Sequence, residues 1–115
     1  MKPVKIVLSP EAEEVYNYLN QEALHSKIEQ SILNSVNKKK ELIKANPHYG
    51  KPISKDKIPQ EFKQKYNITN LFWVELSNRW RMLYSLTNDD NQIEIIAFIL
   101  DISDHKKYDR RFGYK

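Results

Sequence analysis

The sequence predicts an α+β fold, in which an N-terminal strand and an antiparallel helical hairpin pack on a mostly antiparallel four-stranded sheet. Three observations predict it: a short β-branched run opens the chain, two amphipathic helical patterns follow, and three apolar runs separated by turn-like residues fill the C-terminal half. With 115 residues, 40% of them hydrophobic, the chain can build one hydrophobic core. We therefore predict a single domain over residues 1–115.

The first half of the chain carries the strand and the helical hairpin. Residues 4–8 are β-branched and apolar, which is typical of a strand. Ser9 suits a helix N-cap and Pro10 suits the first helical position, so a helix should begin there. A second amphipathic pattern begins after Ser26, another N-cap candidate, and ends before residue 46. Because the connection is short, the two helices should pack antiparallel.

The second half of the chain is predicted to be mainly strands. Residues 46–66 are rich in Pro and Lys, which favours a loop with one helical turn at residues 60–66. Apolar runs at 71–76, 80–86 and 93–102 are separated by turn-like residues and predict an antiparallel meander. The last run is apolar on almost every residue, as expected of a central strand covered on both sides.

Composition excludes several classes of protein and favours one class of partner. The chain has no apolar run of transmembrane length and no signal-peptide pattern, so we predict a cytoplasmic protein without a membrane partner. It has no Cys and only two Gly, which excludes thiol chemistry and a Gly-rich phosphate loop. Nine lysines lie in residues 38–65, and five Lys or Arg lie in the last twelve residues. If the two segments converge they form a nucleic-acid patch; a solvated lysine surface is the alternative.

One candidate site residue lies on a predicted strand. Side chains alternate along a strand, so Trp80, Met82 and Tyr84 should share the core face while Arg81 points to the opposite, partly wet face. A guanidinium on a rigid strand can bind a phosphate through two hydrogen bonds. An ordinary exposed arginine fits the same spacing.

The C-terminal segment carries the other candidates. His105 and Tyr108 lie among cations, and such groups suit RNA scission, in which the 2′-hydroxyl loses a proton, the 5′ oxygen gains one and cations stabilise the phosphorane. The alternatives are a disordered basic tail and an aromatic tail tucked onto the sheet. Acidic residues near His105 could suggest a metal site, but lysines and arginines between them would repel the ion. We predict neither a metal nor a cofactor.

Four pieces of sequence, taken together, resemble the RelE/ParE toxin superfamily. They are Leu8-Ser9-Pro10-Glu11, Gly50-Lys51-Pro52, Trp80-Arg81-Met82-Leu83-Tyr84 and His105-Lys106-Lys107-Tyr108. They occur in the family's order, and the resemblance runs from residue 6 to the C-terminus. It implies the toxin component of a type II toxin–antitoxin system, a metal-independent, ribosome-dependent endoribonuclease that cleaves mRNA. The implied partners are a cognate antitoxin and mRNA on the ribosome.

The resemblance also implies roles for individual residues. Arg81 would stabilise charge at the scissile phosphate, and His105 and Tyr108 would transfer protons or orient the substrate. The implied RNA-binding residues are Lys51, Lys55, Lys57, Arg79, Lys106, Lys107, Arg110 and Arg111.

The sequence departs from the family pattern in one place, and two other functions stay open. Many RelE-type sequences have His-Arg where this chain has His105-Lys106, so that guanidinium is either missing or supplied by Arg79, Arg110 or Arg111. Asp104, directly before His105, is placed to orient the imidazole. One alternative is a catalytically silent relative that binds an antitoxin-like partner or RNA. The other is a ParE-like inhibitor of DNA gyrase.

Overall fold

The computed structural model describes the backbone of residues 2–112 and, within that range, every side chain except those of Tyr108 and Arg111. Its strands and α-helices are, in chain order, β1 (Val4–Leu8), α1 (Pro10–Glu22), α2 (Lys27–Ala45), β2 (Lys51–Pro52), α3 (Gln60–Tyr66), β3 (Phe72–Glu75), β4 (Trp80–Asn88), β5 (Ile95–Asp104) and α4 (His105–Phe112). Short 3₁₀ turns at Lys55–Lys57 and Ser77–Arg79 complete the described elements. No helix in this part of the chain is long and apolar enough to span a membrane.

The strands form one mixed sheet in the order β1-β5-β4-β3-β2. The predicted α+β class is confirmed, but the predicted four-stranded sheet is wrong, because the sheet has five strands. The additional strand is β2, in which Lys51 and Pro52 pair with Trp73 and Phe72. The sequence predicted a loop here because the segment is rich in Pro and Lys. Strand β1 runs parallel to β5, since the intervening elements return the chain to the same end of the sheet.

The helical hairpin is built as the sequence predicts. The Ser9 hydroxyl accepts a hydrogen bond from the Ala12 amide at 3.0 Å and caps α1. The Ser26 hydroxyl accepts from the Glu29 amide at 3.4 Å and caps α2. Both helices turn buried apolar side chains toward one face of the sheet, which we call the hairpin face. The apolar cluster there includes Leu19, Ile32, Val36, Met82, Tyr84, Ile99 and Ile102.

The opposite face of the sheet is covered by α3 and α4, and we call it the α3–α4 face. Its smaller apolar cluster contains Ile58, Phe62, Leu71, Leu83 and Leu100, with Phe112 of α4 packed against it. Strand β5 therefore lies inside the sheet and is covered on both sides, as its apolar sequence predicts.

A β-bulge interrupts the pairing of the two longest strands. Leu83 pairs with Asp101 whereas Tyr84 pairs with Ile99, so Leu100 is the extra residue on β5. Leu100 and Asp101 both line one cleft on the α3–α4 face. The bulge thus brings a carboxylate onto the same face as an apolar core residue.

Candidate nucleic-acid interface

Two rows of cross-strand neighbours run across the α3–α4 face. Directly opposed residues of an antiparallel pair point to the same face of a sheet, so the pairing register identifies each row. The first row is Lys51, Trp73, Leu83 and Asp101, and the second is Glu75, Arg81 and Ser103. The sheet therefore gathers charged groups from β2, β3, β4 and β5 beside one tryptophan.

Arg81 is held in place rather than projecting into solvent. Its side chain is 26% exposed, and its Nη1 atom lies 3.8 Å from Glu75 Oε1. The Arg81 Cζ atom lies 4.8 Å from the centroid of the Trp73 ring. The prediction that Arg81 lies on the face opposite the core residues of β4 is confirmed. The predicted partly wet surface agrees with this exposure, and the tryptophan ring covers part of the side chain.

Trp73 attracts a cation from each neighbouring strand. The Lys51 Nζ atom on β2 lies 5.1 Å from the ring centroid, and Arg81 on β4 contacts the same ring. The quadrupole of an indole ring favours positive charge near its face. Trp73 thereby holds both predicted phosphate-binding cations against one ring.

A buried tyrosine fixes the loop that leads to Lys51. Tyr84 is completely buried, and its hydroxyl accepts a hydrogen bond from the Gly50 amide at 2.8 Å and donates one to the Pro47 carbonyl at 2.7 Å. Burial raises the pKa of the Tyr84 hydroxyl above its ordinary value. A Cβ atom on Gly50 would lie 2.8 Å from Tyr84 Cε1, so only glycine fits this close approach.

This contact joins two of the sequence pieces that carry the family resemblance. Gly50 belongs to the Gly-Lys-Pro piece and Tyr84 to the aromatic-Arg-x-x-Tyr piece. The sequence places Tyr84 in the core but gives no sign of its role in holding the basic loop. The sequence feature that could have indicated this contact is a glycine in one piece and a tyrosine in the other.

Two polar residues of the site were missed by sequence reasoning: Ser103 was not singled out, and Asp101 was considered only as a metal ligand. Ser103 is 3% exposed and lies opposite Arg81, and its Oγ makes no hydrogen bond with the described residues. Asp101 is 2% exposed, and its Oδ1 lies 3.9 Å from the Lys107 Nζ atom. The pairing register, which the sequence does not show, brings both residues into the site.

The C-terminal segment forms a helix, so the alternative of a disordered basic tail is wrong for residues 105–112, whereas that of an aromatic tail tucked onto the sheet agrees with the packing of Phe112. The Asp104 carboxylate accepts a hydrogen bond from the Lys107 amide at 2.9 Å and caps α4. Asp104 is therefore a helix cap. Among the described residues, its carboxylate accepts no hydrogen bond from His105. His105 is half-buried at the first position of α4. The predicted roles of the Tyr108 and Arg111 side chains lie outside the described residues.

The remaining predicted RNA-binding residues are at the surface. Lys55 and Lys57 are exposed in their 3₁₀ turn, Arg79 is exposed in the turn before β4, and Lys106 and Arg110 are exposed on α4. The structure thus brings Lys51 and Arg81 together on one tryptophan and places Lys107 at the far end of the same row.

An open cleft of about 290 Å³ adjoins these residues at the β3 edge of the sheet, and we call it the tryptophan cleft. Its lining residues are Lys39, Tyr49, Gly50, Lys51, Trp73, Val74 and Glu75. The Lys39 Nζ atom donates a hydrogen bond to the Tyr49 hydroxyl at 2.9 Å. Two aromatic rings, two ammonium groups and one carboxylate therefore surround a small open volume.

The fold and this surface define a small α+β protein with a cation-and-aromatic site on one face of its sheet. Among the described residues, no group of three or more His, Asp or Glu side chains is arranged to hold a metal ion. No protein-family model matches the chain, and no curated protein or solved structure matches it. The resemblance to the RelE/ParE superfamily therefore rests on the four sequence pieces alone.

Proposed function

We propose that the protein is the toxin component of a type II toxin–antitoxin system and cleaves mRNA on the ribosome as a metal-independent endoribonuclease. The observation that carries the proposal is the position of Arg81. It lies on an inner strand, against Trp73 and beside Lys51, on a single face of the sheet. A rigid strand and a covering ring limit the motion of the guanidinium, as electrostatic stabilisation of a transition state requires.

The proposed reaction uses the RNA as its own nucleophile. The 2′-hydroxyl loses its proton and attacks the adjacent phosphorus, and the bond from phosphorus to the 5′ oxygen breaks as that oxygen gains a proton. Arg81 and Lys51 supply positive charge for the phosphorane. His105 is the proposed proton carrier, because it follows directly on β5 at the end of the strand that pairs with β4.

The proposed partner in the resting state is the cognate antitoxin. Covering or displacing the surface around Arg81 would be sufficient to silence the enzyme, since the cations of this surface lie on one face. The exposed lysines and arginines of the 3₁₀ turn and of α4 would then guide RNA toward that face when the antitoxin is removed.

The test is induced expression in a bacterial host, with growth measured beside primer-extension mapping of mRNA 5′ ends. We expect wild type to arrest growth and to produce new mRNA ends, and Arg81→Met to abolish both. Methionine keeps an apolar stem against Trp73 while removing the charge. Lys27→Met is the matched control, because Lys27 is an exposed cation at the start of α2, outside the site. It should behave as wild type.

Thermal unfolding of each purified variant separates loss of chemistry from loss of fold. Growth arrest with intact mRNA contradicts the proposal and favours a gyrase-directed or other binding toxin. If there is no arrest, and purified translating ribosomes also show no cleavage, the proposal fails and the silent-relative alternative is favoured.

A further inference from the structure

The tryptophan cleft has the size and lining of a site for one nucleotide. Its volume of about 290 Å³ lies just below the range for small-molecule sites, which is roughly 300–1,000 Å³. Trp73 and Tyr49 offer aromatic surface on which a base can stack, and each ring already has a lysine Nζ atom near it, at 5.1 Å and 5.2 Å. Aromatic surface beside cations is the usual chemistry of single-stranded nucleic-acid binding.

The carboxylate in the cleft selects among the bases. Glu75 lines the cleft, and its side chain is 69% exposed. A carboxylate accepts hydrogen bonds but cannot donate them. Of the four common RNA bases, guanine alone presents two adjacent N–H donors, N1–H and N2–H, along its Watson–Crick edge. A carboxylate can accept both at once, whereas uracil offers it one donor flanked by two carbonyl oxygens.

The pairing of β3 with β4 places this base site next to the proposed phosphate site. Glu75 lies opposite Arg81 on the neighbouring strand, and the two side chains are 3.8 Å apart. The proposed phosphate-binding arginine thus lies next to the carboxylate that lines the cleft, and Lys51 and Lys39 offset the charge of the Glu75 carboxylate. We propose that the tryptophan cleft is a guanine-selective nucleotide subsite in which Glu75 reads the base. As a specificity site for RNA cleavage, it rests on the proposed function.

The test is titration of the full chain with guanosine 3′-monophosphate and with uridine 3′-monophosphate, which carry the same phosphate. The readout is the indole N–H signals of Trp73 and Trp80 in ¹H–¹⁵N NMR spectra, assigned with Trp80→Phe. Trp80 packs on the hairpin face and is the internal reference. We expect the Trp73 signal to shift and the guanosine nucleotide to bind about fivefold or more tightly than the uridine nucleotide.

Glu75→Gln should remove the preference, bringing the two dissociation constants within about twofold of each other. Glu13→Gln is the matched control, because Glu13 is an exposed carboxylate on α1 far along the chain from the cleft. It should keep the wild-type ratio. Equal binding of the two nucleotides, or an unmoved Trp73 signal at millimolar nucleotide, would overturn the proposal.

The outcomes of this titration are separable from those of the cleavage experiment. Guanine-selective binding without growth arrest or mRNA cleavage would leave the subsite standing and the proposed function rejected. Cleavage that depends on Arg81, with no base preference in the titration, would reject the subsite alone.

Discussion

The two faces of the sheet differ in what they bury. The hairpin face carries the larger apolar cluster, which contains thirteen buried residues of the described part of the chain. The α3–α4 face carries a smaller cluster, and beside it lie Arg81, Asp101 and Ser103, of which the latter two are almost fully buried. One face thus supplies most of the apolar burial that stabilises the fold, while the other tolerates charge and polar groups.

Strand β4 shows this division within a few residues. Met82 and Tyr84 are completely buried on the hairpin face, whereas Arg81 and Leu83 belong to the α3–α4 face. Because alternate side chains of one strand serve the two faces, a strand held firmly by its apolar half can present a guanidinium from the other half. Tyr84 also links the faces through its hydrogen bonds to the loop that carries Lys51.

Substitution of Met82 is the largest expected effect and tests the stability of the hairpin face. Met82→Ala should lower the free energy of unfolding by about 2–5 kcal/mol, because it removes a completely buried side chain and leaves a cavity. Arg81→Met, one residue away on the opposite face, should cost about 1 kcal/mol or less, which is the size of an exposed cation–aromatic contact. Urea denaturation of both variants beside wild type measures the difference. Equal losses would show that the two faces contribute alike.

The sequence predicts the hairpin face better than the α3–α4 face, for a physical reason. Helical periodicity, the caps Ser9 and Ser26, and the alternation along β4 are local signals, and each is confirmed. The short strand β2 has no such signal, since Lys51 and Pro52 become a strand only through pairing with β3. Local sequence patterns therefore predict the helices and the long strands but do not predict the short edge strand β2.

The same limit applies to the candidate site. Arg81 was identifiable because strand alternation alone assigns it a face. Ser103 and Glu75 were not, because their proximity to Arg81 depends on the register of three strands and on the bulge at Leu100. The capping role of Asp104 was not predicted, because the sequence after β5 shows charge clustering more plainly than it shows a helix cap.

Substitution of two buried serines, Ser9 and Ser103, should change the free energy of unfolding by an intermediate amount and so extends the comparison. The Ser9 hydroxyl caps α1 and donates a hydrogen bond to the Leu100 carbonyl at 2.8 Å, so Ser9→Ala should cost about 1–3 kcal/mol. Ser103→Ala should change the free energy of unfolding by about 0.5 kcal/mol or less, or raise it, because the lost hydroxyl has no hydrogen-bond partner among the described residues. Urea denaturation again gives both values. A large loss for Ser103→Ala would show that its hydroxyl is part of a structural network.

The smallest expected effect concerns a link between the two faces. The Glu11 carboxylate on α1 accepts hydrogen bonds from the Lys65 ammonium and from the Tyr66 hydroxyl of α3. These hydrogen bonds, that from Lys65 first, lower the pKa of Glu11 from 4.5 to about 2. Since the folded-state pKa is the lower one, the stabilisation is fully present above about pH 4.5 and is lost as the pH falls toward 2.

Glu11→Gln should therefore reduce the acid sensitivity of the fold. Between pH 7 and pH 3, the urea midpoint of wild type should fall further than that of Glu11→Gln, while Glu13→Gln should follow wild type. The difference should be small, because the Glu11 and Lys65 side chains are 45% and 57% exposed and water screens their interaction. If Glu11→Gln and wild type lose stability in parallel, the contact between α1 and α3 does not couple the two sides of the sheet, and each face is stabilised independently of it.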